Sequence, residues 1–199
     1  MMDSMAKQFE KPRGILGKLA GTIMYFENRK INRWSIQKLQ VHKNDRILEI
    51  GFGPGYGIKT LMSTYRGIEV DGIDISSKMK NEATKRNKEW VEQGKVHLTI
   101  GDVADFQPDY SYNKIISVNN YPLWDKPLTS LNHLLRLLKP GGRIVLTVQP
   151  REEGSTAQTA KQLGEMMKKD LLSTGFKNPE VSYLQVRPVL TVCVTAEKE

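Results

Sequence analysis

Between Ile47 and Gly57 the chain reads I-L-E-I-G-F-G-P-G-Y-G, a short apolar run followed by glycines at 51, 53, 55 and 57. Ile47, Leu48 and Ile50 suit a strand buried on both faces. The glycines that follow have no Cβ, so the backbone can turn sharply and come close to a ligand. Ile58-Lys59-Thr60-Leu61-Met62 can continue as a helix whose first N–H groups point back into the loop. Strand, glycine loop and helix together predict the ligand-binding corner of an α/β sheet. A dinucleotide fingerprint, G-x-G-x-x-G, would need its third glycine at position 56, where Tyr56 stands. The spacing here is instead acidic-x-G-x-G-x-G, from Glu49 through Gly51, Gly53 and Gly55.

Downstream, apolar runs and helical patterns alternate. Ile68–Ile75 reads as a second strand ending in Asp74, and Ser76 can cap a helix over about 77–90. Val96–Ile100 is a third strand, followed at once by Gly101-Asp102-Val103, and Ile115–Val118 a fourth, followed by Asn119-Asn120-Tyr121-Pro122. A leucine-rich helix over about 127–138 stops at Lys139-Pro140-Gly141-Gly142, where proline and glycine end it. Arg143–Val148 is a fifth strand, 157–174 a helix stopped by Gly175, and 181–187 and 190–196 two last strands. The turn between that last pair is too short for a crossover helix, so the two strands run antiparallel. The pattern predicts an α/β, Rossmann-like, doubly wound sheet of seven strands, mostly parallel with one antiparallel strand.

Ahead of this body, Ile15, Leu16, Leu19, Ile23 and Phe26, then Ile31, Trp34 and Leu39, recur at helical spacing. They predict two helices broken near Glu27–Lys30, and hence a helical N-terminal lid over 1–44 preceding a single globular unit over 45–199. Gly14, Gly17 and Gly21 weaken the first helix by roughly 1 kcal/mol each relative to alanine, which favours close packing or a mobile cover. Residues 1–46 hold ten Lys/Arg against four Asp/Glu, most of the chain's net +8. This basic lobe could face an anionic substrate, a membrane surface or nucleic acid, and would serve equally as a solvated helix face. The single cysteine, Cys193, excludes an internal disulfide, and three scattered histidines give no metal-ligand spacing. The expectation is a cytoplasmic protein without metal, secretory signal or transmembrane segment.

Leu48-Glu49-Ile50-Gly51-Phe52-Gly53-Pro54-Gly55, Gly72-Ile73-Asp74-Ile75-Ser76, Gly101-Asp102-Val103 and Leu138-Lys139-Pro140-Gly141-Gly142 occur in that order. In this combination, over roughly 45 to 197, the chain resembles the class I S-adenosylmethionine (AdoMet) dependent methyltransferases. The final motif is similar to that of small-molecule members of the ubiquinone/menaquinone type. The resemblance implies AdoMet as cofactor, bound by Glu49, Gly51, Gly53, Gly55, Asp74, Ile75, Met79, Asp102, Val103 and Asn119. Asp74 would accept the ribose hydroxyls and Asp102 the adenine amino group, while Ile75 and Met79 cover one face of the adenine and Val103 the other.

Such an enzyme mainly aligns a nucleophile with the methyl group. A base is needed only for a protonated nucleophile, and no residue announces itself as one. Asn119 and Tyr121 are the candidates nearest the chemistry. Trp124 and Asp125 could line an acceptor pocket, Tyr25, Asn28 and Arg33 could close over the methionine carboxylate, and His133 reads as a helix residue rather than a catalytic one. Methyltransferases of exocyclic base amines often carry Asn/Asp-Pro-Pro-aromatic after the fourth strand; Asn119-Asn120-Tyr121-Pro122 does not match, and no RNA-binding module is visible. The expected activity is methyl transfer to a small-molecule substrate. An RNA or anionic-lipid acceptor, or a binding protein without catalysis, are the alternatives.

Overall fold

A computed structural model of the chain describes residues 28–199. The first predicted helix, with Gly14, Gly17, Gly21 and Tyr25, lies outside the described residues. The second is present as α1, helical over 28–39.

Seven strands form one sheet: β1 (Arg46–Ile50), β2 (Glu69–Asp74), β3 (Val96–Ile100), β4 (Tyr112–Val118), β5 (Leu138–Val148), β6 (Lys177–Leu184) and β7 (Thr191–Glu197). Their order is β3-β2-β1-β4-β5-β7-β6. Strands β1 to β5 pair in parallel, and β7 runs antiparallel to both β5 and β6. The expected mostly parallel sheet with one reversed strand is therefore observed. The helices are α2 (Tyr56–Thr64), α3 (Ser77–Arg86), α4 (Lys88–Glu92), α5 (Pro127–Leu137) and α6 (Ala157–Ser173).

Successive residues of the central strands feed opposite faces of the sheet, as strand alternation requires. Leu48, Ile115, Ile144 and Leu146 join α5 and α6 in one core. Ile47, Ile116, Val145 and Cys193 join α1, α2 and α3 in the other. Glu49 stands on the second face, between buried neighbours, and there it meets α2. Helix α1 docks on that face through buried Ile31, Ile36 and Leu39. Two polar ties fix it: Ser35 Oγ donates to Thr147 Oγ1 at 2.8 Å, and Arg143 Nε donates to the Lys38 carbonyl at 2.9 Å.

Four elements differ from the sequence pattern by more than two residues or in continuity. Strand β4 begins at Tyr112, three residues before the apolar run that starts at Ile115. The helix expected over 77–90 is two helices, because Asn87 leaves helical geometry (φ −114°, ψ 23°) and turns its side chain inward. Strand β5 begins at Leu138, not Arg143. Leu138 pairs with Tyr112 and Arg143 with Lys114, so Lys139-Pro140-Gly141-Gly142 bulges out of the ladder instead of preceding it. Strand β6 starts at Lys177 and ends at Leu184, earlier at both ends than the apolar run suggests.

The buried core and the exposed turn after β4 predict a sharp contrast under urea unfolding. Leu146→Ala, at a fully buried position in β5, removes contacts that a close-packed core cannot recover and costs about 2–5 kcal/mol. Leu123→Ala, at a side chain 73% exposed beyond β4, stays within about 0.5 kcal/mol of wild type.

Candidate cofactor and methyl-transfer site

The chain runs from β1 outward to β2 and later returns to β4 on β1's other side, so a crevice opens at the carboxyl end of β1. The glycine loop lies there. Gly51 takes φ +69°, and a Cβ on it would stand 2.3 Å from the Asn120 side chain. A larger residue would therefore be strained and would also displace the segment after β4. Gly53, at φ +50°, has nothing within 4 Å of where its Cβ would be. It is the open point of the loop.

Side chains from β2 and α3 brace this loop. Asp74 Oδ2 accepts from Gly53 N at 2.8 Å, and its Oδ1 accepts from Ser76 N at 2.9 Å. One carboxylate thus fixes the loop and shapes the start of α3, which Ser76 caps by accepting from Met79 N. Asn87 Nδ2 donates to the carbonyls of Gly55 and Ala83, holding the loop from below. Arg86 donates to the Pro54 carbonyl, and its guanidinium lies 3.8 Å from the Tyr56 ring centroid. The sequence reading missed Asn87 and Arg86. A polar asparagine in the middle of a helical pattern is the one signal that could have found the first.

Glu49 is 4% exposed, and its Oε2 has no hydrogen-bond partner among the described residues. The carboxyl packs against Gly57, where a Cβ would fall 2.2 Å from Oε1. Burial, and after it the nearby Asp74 carboxylate, push its pKa up from 4.5 to about 8. An unpaired buried carboxyl is costly unless something cationic reaches it.

A cavity of about 250 Å³ covers this corner, lined by Glu49, Gly51, Gly53 and Asn119 and walled by Asn28 of α1 and Arg151 beyond β5. Asn119 is in left-handed geometry (φ 56°), and its Oδ1 accepts from Gln149 N at 2.8 Å, tying the ends of β4 and β5 together. Arg151, also absent from the sequence reading, donates from Nη2 to Asn28 Oδ1. It follows a strand without any motif around it.

The remaining expected residues divide. Ile75 is 76% exposed, an apolar side chain that folding leaves in solvent, and Ile100, paired beside Asp74 on β3, is exposed too. Asp102 is exposed and caps a 3-10 turn, its Oδ1 accepting from Ala104 N at 2.7 Å. Met79 is half-buried against the α1–α3 core, whereas Val103 turns into the opposite core. Gly55 is packed beneath the loop against Ala83 and Asn87. Tyr121 is 2% exposed and donates its hydroxyl to Asp170 of α6 at 2.7 Å, so it braces two elements outside the cavity lining. Its ring and that of Trp124 lie 5.0 Å apart. Trp124 Nε1 donates to Asn120 Oδ1, which holds Asn120 over Gly51. Asn28 lines the cavity but Arg33 does not; it faces a neighbouring one. His133 is buried, with Nε2 2.6 Å from the Phe106 carbonyl, which assigns that nitrogen a structural proton. Among the described residues no cluster suited to a metal ion and no helix long and apolar enough to cross a membrane occurs.

The site's titration leads to a measurable consequence. The fold favours protonated Glu49, so the stability this contributes is complete below about pH 4.5 and is lost as pH rises through about 8. The thermal midpoint of the ligand-free protein is expected to fall between pH 5 and pH 9, and Glu49→Gln should flatten that slope. Parallel slopes in the two proteins would contradict the assignment.

Comparison with known proteins agrees with this geometry. The family described as a methyltransferase domain matches residues 47–142, from β1 into the bulge of β5. The methyltransferase YdaC of Bacillus subtilis (strain 168), itself uncharacterized, is 36% identical over 181 residues, covering 90% of this chain and 98% of YdaC. The fatty-acid O-methyltransferase of Mycolicibacterium smegmatis is 28% identical over 133 residues, 63% of this chain and 47% of that protein. Among solved structures, the N-methyltransferase NodS of Bradyrhizobium japonicum, in complex with S-adenosylhomocysteine, superposes with a TM-score of 0.69 at 17% identity, covering 86% of this chain and 87% of NodS. With a relative that matches it nearly end to end, and with the sheet order, glycine loop and strand-end carboxylates in place, the chain belongs to the class I AdoMet-dependent methyltransferases.

Proposed function

We propose that this protein transfers the methyl group of AdoMet to a small-molecule acceptor in the cytoplasm, with residues 1–44 forming a helical cap on the methyltransferase unit over 45–199. The observation that carries the cofactor assignment is the unpaired, buried Glu49 carboxyl facing the glycine-loop cavity beside Asp74. A cationic ammonium such as that of the methionyl moiety is what this carboxyl lacks. The site fits the rest of the cofactor as well. Gly53 leaves room for close approach, Asp74 keeps lone pairs for ribose hydroxyls beyond its two backbone bonds, and exposed Ile75 offers an apolar face for adenine near Asp102.

AdoMet supplies a methyl group that is already electrophilic, so the protein's own contribution is binding, orientation and exclusion of water. Glu49, once deprotonated, holds the ammonium end. Asp74 fixes the ribose while keeping Gly53 in place, and Asp102 reads the adenine amino group. Asn119, locked by Gln149 N, forms the rigid wall at the end of β4 where the acceptor approaches. Support for the cap comes from α1, which gives Asn28, Arg29 and Asn32 to the cavity wall. The Mycolicibacterium relative acts on a fatty acid by name, which is consistent with a small acceptor.

Two measurements test this reading. Calorimetry should show AdoMet binding to the wild-type chain, weakened in Asp74→Ala by about 2–3 kcal/mol, on the order of a hundredfold in Kd. Absence of binding by the wild-type protein would sink the proposal. The same titration should tighten as pH rises toward 8, because the ammonium needs the ionised form of Glu49, and this pH dependence should vanish in Glu49→Gln.

A further inference from the structure

A second cavity, of about 340 Å³, lies between α1 and α2 and shares Arg29, Asn32 and Tyr56 with the first. Its walls follow from helical spacing. Arg29, Asn32 and Arg33 fall at i, i+3 and i+4 on α1, and Tyr56, Lys59, Thr60, Ser63 and Thr64 fall on one face of α2. Two packed helices ordinarily meet through apolar side chains, and the other faces of these two do: Ile31, Ile36 and Leu39 on α1, Ile58 and Leu61 on α2. The faces that meet across the cleft carry three cations and four hydroxyls. Among the described residues no carboxylate lines it. Neither Arg33 nor Lys59 forms an ion pair or side-chain hydrogen bond among the described residues. Ser63 Oγ and Thr60 Oγ1 donate to backbone carbonyls of α2, which leaves their oxygens able to accept but points the cleft's donor capacity to the cations.

This charge is not needed for the cofactor. Arg33 and Lys59 do not line the glycine-loop cavity, and its wall already holds two cations, Arg29 and Arg151, able to face a methionine carboxylate. Like charges gathered in a cleft repel one another, and an oxyanion placed among them relieves that repulsion. A guanidinium and an ammonium on facing helices suit a phosphate or carboxylate group, which can accept from both. A cleft of about 340 Å³ between two helices suits a single small group, unlike the broad basic surface that a duplex or a membrane needs.

We infer that this second cavity is a subsite for an anionic group, phosphate or carboxylate, of a small soluble acceptor, held by Arg33 and Lys59 while its methyl-accepting atom lies in the adjoining glycine-loop cavity. The assignment rests on the methyl-transfer reading and names the class of acceptor that reading leaves open. It makes Arg33 and Lys59 substrate-binding residues. It also gives the basic N-terminal lobe a defined task at its α1 end.

The experiment uses the full chain saturated with AdoMet and titrates it calorimetrically with inorganic phosphate and, separately, with acetate. Three proteins are compared: wild type, Arg33→Ala/Lys59→Ala, and the charge-retaining Arg33→Lys/Lys59→Arg. Both substituted side chains, Arg33 and Lys59, are exposed, so folding is preserved and is checked by AdoMet binding itself. The expected result is binding of at least one probe by wild type, weakened on the order of tenfold or more in the alanine pair and largely restored in the charge-retaining pair. AdoMet affinity should be the same in all three. Equal probe binding by wild type and the alanine pair, or none by wild type, overturns the subsite. A loss of AdoMet affinity in the alanine pair overturns it too, by assigning the cleft to the cofactor. Retention of wild type on RNA or on phosphatidylglycerol vesicles that the alanine pair loses would overturn the small-acceptor assignment in favour of a polyanion or a lipid surface. Wild type that binds phosphate but not AdoMet overturns the methyl-transfer reading instead, and with it the identification of the anion as an acceptor group.

Discussion

Everything at the working end of this protein depends on β1 being flanked in parallel by β2 on one side and β4 on the other. That arrangement forces the chain to leave β1 in one direction and return from the other, and the crevice between the two departures cannot be filled by either. The glycine loop occupies it because a side chain has no room at Gly51, beneath Asn120, or at Gly57, against Glu49. The loop is therefore a consequence of the sheet order as much as of its own residues. Its open point, Gly53, faces outward because Asp74 holds it so.

The two ends of the sheet do different work. At the amino ends of β1, β2 and β3, charges are paired off. Arg46 bridges Glu69 and, at 3.2 Å, buried Asp71, and its guanidinium lies 3.7 Å from the Tyr110 ring centroid, while His97 Nδ1 reaches Asp71 at 3.0 Å. A buried carboxylate with such partners is satisfied, and breaking the set would leave it stranded. At the carboxyl ends the opposite holds among the described residues: Glu49 Oε2 lacks a hydrogen-bond partner, Ile75 lacks apolar cover, and Arg33 and Lys59 stand at the α1–α2 cleft without an ion pair. Charges paired at one end of the sheet and left unpaired at the other mark where a ligand completes the structure.

Much of this was legible in the sequence because it depends on short-range pattern. Alternating strands and helices, the Ser76 cap and the short turn before β7 gave the sheet and its one reversed strand. The glycine spacing and Asp74 mark the crevice at the end of β1, where Asp74 holds Gly53. What escaped reading depends on contacts distant along the chain. Asn87, where the helix breaks, donates to the Gly55 carbonyl, 32 residues away. Lys139-Pro140-Gly141-Gly142 reads as a helix stop, which it is, but its bulge within β5 follows from the register with β4. Tyr121 stands next to Asn119 in sequence, yet its hydroxyl belongs to Asp170 of α6. Arg151 reaches the cavity because the end of β5 meets α1, and no local pattern encodes that meeting.

Asp74 illustrates how tightly architecture and recognition are fused here. Both of its oxygens already accept backbone N–H groups, one from the loop and one from the start of α3. Asparagine, though nearly the same shape, would turn a donor toward one of those donors, so even an isosteric exchange reshapes the loop before any ligand arrives. Any substitution at Asp74 therefore changes the loop and the start of α3 together, so the walls of the cavity supplied by α1 and Arg151 can change shape with far less disturbance than its floor.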